Sequence, residues 1–126
     1  MISAAKFIRS RKGAWSALIV WMALIFTLSS IPDLSSGLQP MWDLVLRKFA
    51  HAGEYAILGW LAYRALTVSG VPRTRALWLA VLIGVAYAAS DEFHQTFVPG
   101  RHGAVIDATL DSFGVLLGAL VVHRRK

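Results

Sequence analysis

The stretch AWSALIVWMALIFTLSSI, Ala14 to Ile31, runs without a single charged side chain and ends at Pro32. A helix needs about 20 predominantly apolar residues to cross roughly 30 Å of hydrocarbon, and this run comes close to that length. Lys6, Arg9, Arg11 and Lys12 precede it. A basic start followed by an apolar run is also the plan of a signal peptide. The run exceeds the usual apolar core of about 7–15 residues, however, and no small-x-small cleavage pattern follows. The reading is an uncleaved first span over 14–31.

Working outward, three further stretches repeat the pattern, predicting spans over 49–68, 76–97 and 104–122. Between the first two lies a connector with Pro32, Ser35, Ser36, Gly37 and Pro40. Its end carries Met41, Trp42, Leu44, Val45 and Leu46, an amphipathic segment expected to lie at the membrane interface. Gly70 and Pro72 mark a tight second turn, and Pro99, Gly100 and Gly103 a third. With 126 residues there is room for one domain, and none of the segments is a repeat or of low complexity.

Composition agrees with this reading. The chain is 56% hydrophobic and 16% charged, with a mean hydropathy of +0.56. So few polar groups cannot cover the surface of a water-soluble domain. The net charge of +6 does not point to nucleic acid, because the basic residues cluster at the ends of apolar runs. The chain has no cysteine, which removes disulfides and thiolate metal sites. No cofactor and no metal is assigned from the sequence.

Charge placement orients the chain. Lys6, Arg9, Arg11, Lys12, Arg64, Arg73, Arg75, Arg124, Arg125 and Lys126 fall on one side, leaving Arg47, Lys48 and Arg101 on the other. Because cytoplasmic loops carry the excess of Lys and Arg, both termini are expected in the cytoplasm. The expected fold is all-α: a membrane four-helix bundle, N-in and C-in, with an interfacial segment between spans one and two.

The acids follow a separate pattern. Asp33, Asp43, Glu54, Asp91, Glu92, Asp107 and Asp111 all lie in the outer loops or toward the outer ends of spans. His51, His94 and His102 are there too. Lys48, His51 and Tyr55 share a helical face with Glu54 close by, and Asp91 and Glu92 each reach Gln95 at helical spacing. Asp107, Asp111, Gly114 and Gly118 form one stripe, and the two glycines make a GxxxG pair suited to close helix approach or a homo-oligomer. A carboxylate at the centre of a membrane helix costs roughly 2.5–3.5 kcal/mol, so such groups need partners. The candidate ligand-binding set is Lys48, His51, Glu54, Tyr55, Asp91, Glu92, Gln95, Arg101, Asp107 and Asp111. Within it, Glu54, His51, Asp91 and Glu92 are the catalytic candidates. Each has a bland alternative: His51 as a structural hydrogen-bonding group, Asp91 and Glu92 as a solvated helix end, Asp107 and Asp111 as ion-pair partners of Arg101.

These motifs also resemble a known family. Lys48-x2-His51-x3-Tyr55-x2-Leu58 is followed by Ser90-Asp91-Glu92-x-His94-Gln95-x-Phe97-x-Pro99-Gly100-Arg101, and then by Asp107-x3-Asp111-x2-Gly114-x3-Gly118. Over residues 26–121 this is similar to the VanZ-like family, bacterial membrane proteins named for a teicoplanin-resistance factor. In many relatives an Asn stands at the position of Asp111. The resemblance implies a place in the cell envelope and an effect on glycopeptide susceptibility.

Three functions compete at this point, beside the bland alternative of a purely structural partner protein. One is binding of an anionic lipid-linked precursor or glycopeptide at the outer leaflet, with Arg101 and Lys48 holding the anionic groups. Another is a membrane-embedded enzyme on a lipid-linked substrate, with or without the help of a metal, with Glu54 or Asp91 as general base and His51 as proton shuttle. A fragment, Gly103-x3-Asp107-x3-Asp111, is similar to the tail of the metal-binding motif of CDP-alcohol phosphotransferases, whose leading half is missing here. The third is proton-coupled transport along a carboxylate and histidine relay. Partner and location follow: the bilayer of the bacterial plasma membrane, crossed several times.

Overall fold

A computed structural model describes residues 6, 9–30, 40–97 and 105–125; at 40, 41, 43, 44 and 105–107 the backbone alone is described. Among these residues the structure is all helical, without strands. Its four long helices are α1 (Arg11–Ser29), α2 (Pro40–Val68), α3 (Arg73–Gln95) and α4 (Val105–Arg124). By length and composition, α1 and α3 are apolar enough to cross a membrane.

Local chemistry sets the helix ends. Ser10 caps α1, its hydroxyl accepting from Gly13 N–H at 3.1 Å. α2 stops at Gly70, whose φ of 95° is open to glycine at little cost. There Val71 N–H bonds Leu66 C=O at 3.0 Å and Gly70 N–H bonds Thr67 C=O at 3.1 Å, the paired closure of a Schellman cap. Pro72 then opens α3, where its missing N–H is harmless.

α2 is longer than the sequence suggests. Its 29 residues extend about 43 Å at 1.5 Å per residue. The amphipathic segment expected as a separate interfacial piece is instead the first turns of this helix. Pro40 is tolerated at the very start of a helix, and no breaker lies between Trp42 and Lys48 to interrupt it.

α2 packs against all three other helices, most extensively against α4. Small residues allow this. A Cβ added at Gly114 or Gly118 would come closer than 3.0 Å to the carbonyl oxygen of Ala52 or Ala56. One added at Gly59 would meet the carbonyl of Val115, and one at Gly84 the Val115 side chain. Val115, fully buried, thus fills a slot between glycines of α2 and α3. The Gly114/Gly118 stripe, considered from sequence as a route to a homo-oligomer, is covered by α2 of the same chain.

Burial runs from small inside to large outside. Ala62, Ala65, Ala76, Ala80, Ala88 and Ala119 are buried, while Leu110, Phe113, Leu117 and Val121 form an exposed apolar stripe along α4. Exposed large apolar side chains also occur on the other three helices, among them Val20, Phe49 and Leu82.

Two sets of hydrogen bonds fix which helix ends meet. At one end Trp15 Nε1 donates to Ser69 Oγ at 2.8 Å, and Arg11 donates to Ser69 C=O at 3.4 Å. Tyr63 and His123 Nδ1 share a 2.9 Å bond, and Arg73 donates to both Tyr63 Oη (3.3 Å) and the His123 carbonyl. At the other end Ser30 Oγ and His94 Nε2 share a 2.9 Å hydrogen bond, with the His94 ring stacked on Phe26 at 4.3 Å. The start of α1, the end of α2, the start of α3 and the end of α4 therefore gather at one end.

Candidate functional site

The opposite end contains a buried polar centre made by three helices. α2 contributes His51 and, one turn later, Tyr55, with ring centroids 6.4 Å apart in a stacked arrangement. α3 contributes Asp91, Glu92 and Gln95, all buried. α4 contributes Asp111, 2% exposed.

Cross-helix geometry joins four of these groups. Tyr55, with no exposed surface, donates its hydroxyl to Asp91 Oδ2 at 3.1 Å. His51 Nδ1 lies 3.7 Å from Asp111 Oδ2. Ligand-capable atoms of His51, Asp91 and Asp111 all fall within 4.8 Å of one another. Asp91 Oδ1, Asp111 Oδ2 and Gln95 Nε2 are buried and make no hydrogen bond. Buried polar atoms nearly always find a partner, so three such atoms on α3 and α4 mark this place as unusual.

The surroundings hold this centre in position. Tyr87 on α3 lies against Tyr55, with ring centroids 6.2 Å apart, and donates its hydroxyl to Met22 C=O of α1 at 2.5 Å. Trp21 Nε1 donates to the backbone carbonyl of Glu54 at 2.9 Å. These bonds tie α1 to the helices that carry the polar groups, although α1 supplies none of the four joined side chains.

The other sequence candidates have different positions. Lys48 lies one turn before His51 on the wall of a groove between α2 and α4. The groove, about 620 Å³, is lined by apolar residues including Val45, Phe49, Ala56, Leu110, Phe113 and Leu117. Among the described residues Lys48 is the only charged one in that lining. Glu54 is half-buried, one residue from Tyr55. Arg101 and the side chain of Asp107 lie outside the described residues. Three further polar residues were not singled out from sequence. Tyr87 and Ser30 make long-range contacts with α1 or α3 that no local spacing reveals, and buried Ser29 carries an Oγ without a hydrogen bond.

The family model described as VanZ/LLP1 matches residues 14–125, nearly the whole chain. The chain belongs to the VanZ/LLP1 family. The match includes every side chain of the polar centre and both walls of the groove. No curated protein and no solved structure matches the chain. In this VanZ/LLP1 member, then, function rests on the site and not on the fold.

Proposed function

We propose that this VanZ/LLP1 protein is a single-domain, four-span protein of the bacterial plasma membrane that binds an anionic lipid-linked ligand of the cell envelope at its outward end. The distribution of apolar surface supports the membrane part of this reading. All four helices expose large apolar side chains while the interior is packed with Ala and Gly, the pattern expected where lipid is the solvent. Arg11, Lys12, Arg64, Arg73, Arg75, Arg124 and Arg125 belong to the helix ends gathered around Ser69 and His123, which favours a cytoplasmic location for that end and for both termini. The polar centre then faces outward.

One observation carries the ligand class: an apolar groove with Lys48 on its wall runs beside the buried polar centre. An acyl or prenyl chain suits the groove, and a phosphate suits Lys48, a point charge that binds phosphates well. Arg101 is proposed as a second anion-holding group, and a change in glycopeptide susceptibility as the cellular consequence. Gly53, which also lines the groove, offers a clean test, since a Cβ there meets nothing within 4 Å. Lipid-resolved mass spectrometry of the purified protein should find a co-purifying anionic lipid that is lost in Gly53→Leu and weakened in Lys48→Gln. A lipid profile unchanged in both variants contradicts the reading.

A second reading, an enzyme acting on that lipid-linked ligand, is favoured by the pairing of Tyr55 with Asp91 and of His51 with Asp111. In it Asp91 serves as general base and His51 moves the proton. Turnover of the co-purified lipid by wild type and not by Asp91→Asn would support it; turnover equal in both would exclude it.

A further inference from the structure

The polar centre has an imbalance that its own hydrogen bonds do not resolve. Asp91 and Asp111 are 3% and 2% exposed, and they come from different helices. Tyr55 covers one Asp91 oxygen; Asp91 Oδ1 and Asp111 Oδ2 have no hydrogen-bond donor. His51 Nδ1 is 3.7 Å from Asp111 Oδ2, beyond hydrogen-bond range. That separation is near the distance of about 3–3.5 Å between adjacent ligands on one ion with bonds of 2.0–2.2 Å.

We propose that His51, Asp91 and Asp111 bind one divalent cation of the Zn²⁺ or Mn²⁺ class. A dication placed among ligand atoms of three residues already within 4.8 Å of one another offsets the two buried carboxylates together. The donor set decides the class. One imidazole and two carboxylates suit zinc or manganese, and the absence of sulfur argues against Cu(I). Tyr55 then acts one layer out, its bond to Asp91 Oδ2 fixing the carboxylate so that Oδ1 turns to the ion. Three protein ligands leave coordination positions open, as in metal centres that take water or a phosphate oxygen. Cation binding does not require the lipid proposed above, so the two fail separately.

The test uses the full chain purified in detergent without chelator. Elemental analysis should find about one zinc or manganese ion per chain, lost in Asp91→Asn and in Asp111→Asn. After chelation, adding Zn²⁺ or Mn²⁺ should raise the melting temperature of the wild type by several degrees and leave that of Asp91→Asn unmoved. Absence of ion from the wild type together with no thermal response overturns the proposal, and so does an ion content undiminished in both variants. If the variants fold poorly, the wild-type titration alone decides.

Discussion

The hydroxyl of Tyr55 on α2 donates to Oδ2 of Asp91 on α3 across 3.1 Å, and both residues are buried. The bond crosses between helices at the depth where Asp111 of α4 also lies buried. Removing the hydroxyl leaves Asp91 short of its one described donor. Tyr55→Phe should cost about 1–3 kcal/mol, the penalty for stripping a donor from a buried acceptor. A double-mutant cycle with Asp91→Asn, read by thermal unfolding in detergent, should return a coupling above about 0.5 kcal/mol. Additive losses would mean the bond does not hold α2 to α3.

The α2–α4 contact is set by backbone proximity. Gly118 faces the Ala56 carbonyl and Gly114 the Ala52 carbonyl, with no room for a methyl group. Gly118→Val should destabilise the protein by about 3 kcal/mol or more, at the upper end of overpacking costs. Gly53→Ala, in the same helix as Ala52 but with open space around it, should be neutral or stabilising by up to about 1 kcal/mol. Equal melting temperatures for these two variants would contradict the packing described.

His94 illustrates how a polar residue of a sequence motif can be structural. It bonds Ser30 at 2.9 Å and stacks on Phe26 at 4.3 Å, joining the ends of α1 and α3. His94→Phe keeps a ring to stack and loses the hydrogen bond, for about 1 kcal/mol. His94→Ala loses both and should melt lower still. The reverse order would show that the ring contact contributes nothing.

At the basic end, Trp15 donates to Ser69 Oγ at 2.8 Å, and Ser69 Oγ donates in turn to Ala65 C=O. Trp15→Phe should lose about 0.5–1.5 kcal/mol. In a Ser69→Ala background the same substitution should cost measurably less. An undiminished loss would assign the effect of Trp15 to packing alone.

Much of the helical plan is legible in the sequence because uncharged runs of membrane-crossing length have few other ways to fold, and Gly70-Val71-Pro72 announces its turn. The start of α2 is not legible: Pro40 looks like part of a Pro- and Gly-containing connector, although the first position of a helix accepts proline. For the site, helical spacing puts His51 with Tyr55, Asp91 with Gln95, and Asp111 with Gly114. Spacing says nothing of how each helix is rotated or how deep it sits. The pairing of Tyr55 with Asp91, and of His51 with Asp111, emerges only when Ala52, Ala56 and Gly59 bring α2 against α4 and Val115 settles beside Gly84. The GxxxG pair announces a close helix contact without naming the partner, which is α2 of the same chain.

The central claim, that the buried polar centre belongs to the outward half of a membrane-spanning protein, can be tested with single cysteines, since the natural chain has none. Thr96→Cys lies beside the polar centre and Arg125→Cys at the opposite, basic end; both positions are exposed. With a membrane-impermeant maleimide on intact cells, Thr96→Cys should label at once, and Arg125→Cys only after permeabilisation. Labelling of Arg125→Cys from outside with protection of Thr96→Cys would turn the polar centre toward the cytoplasm and contradict the account.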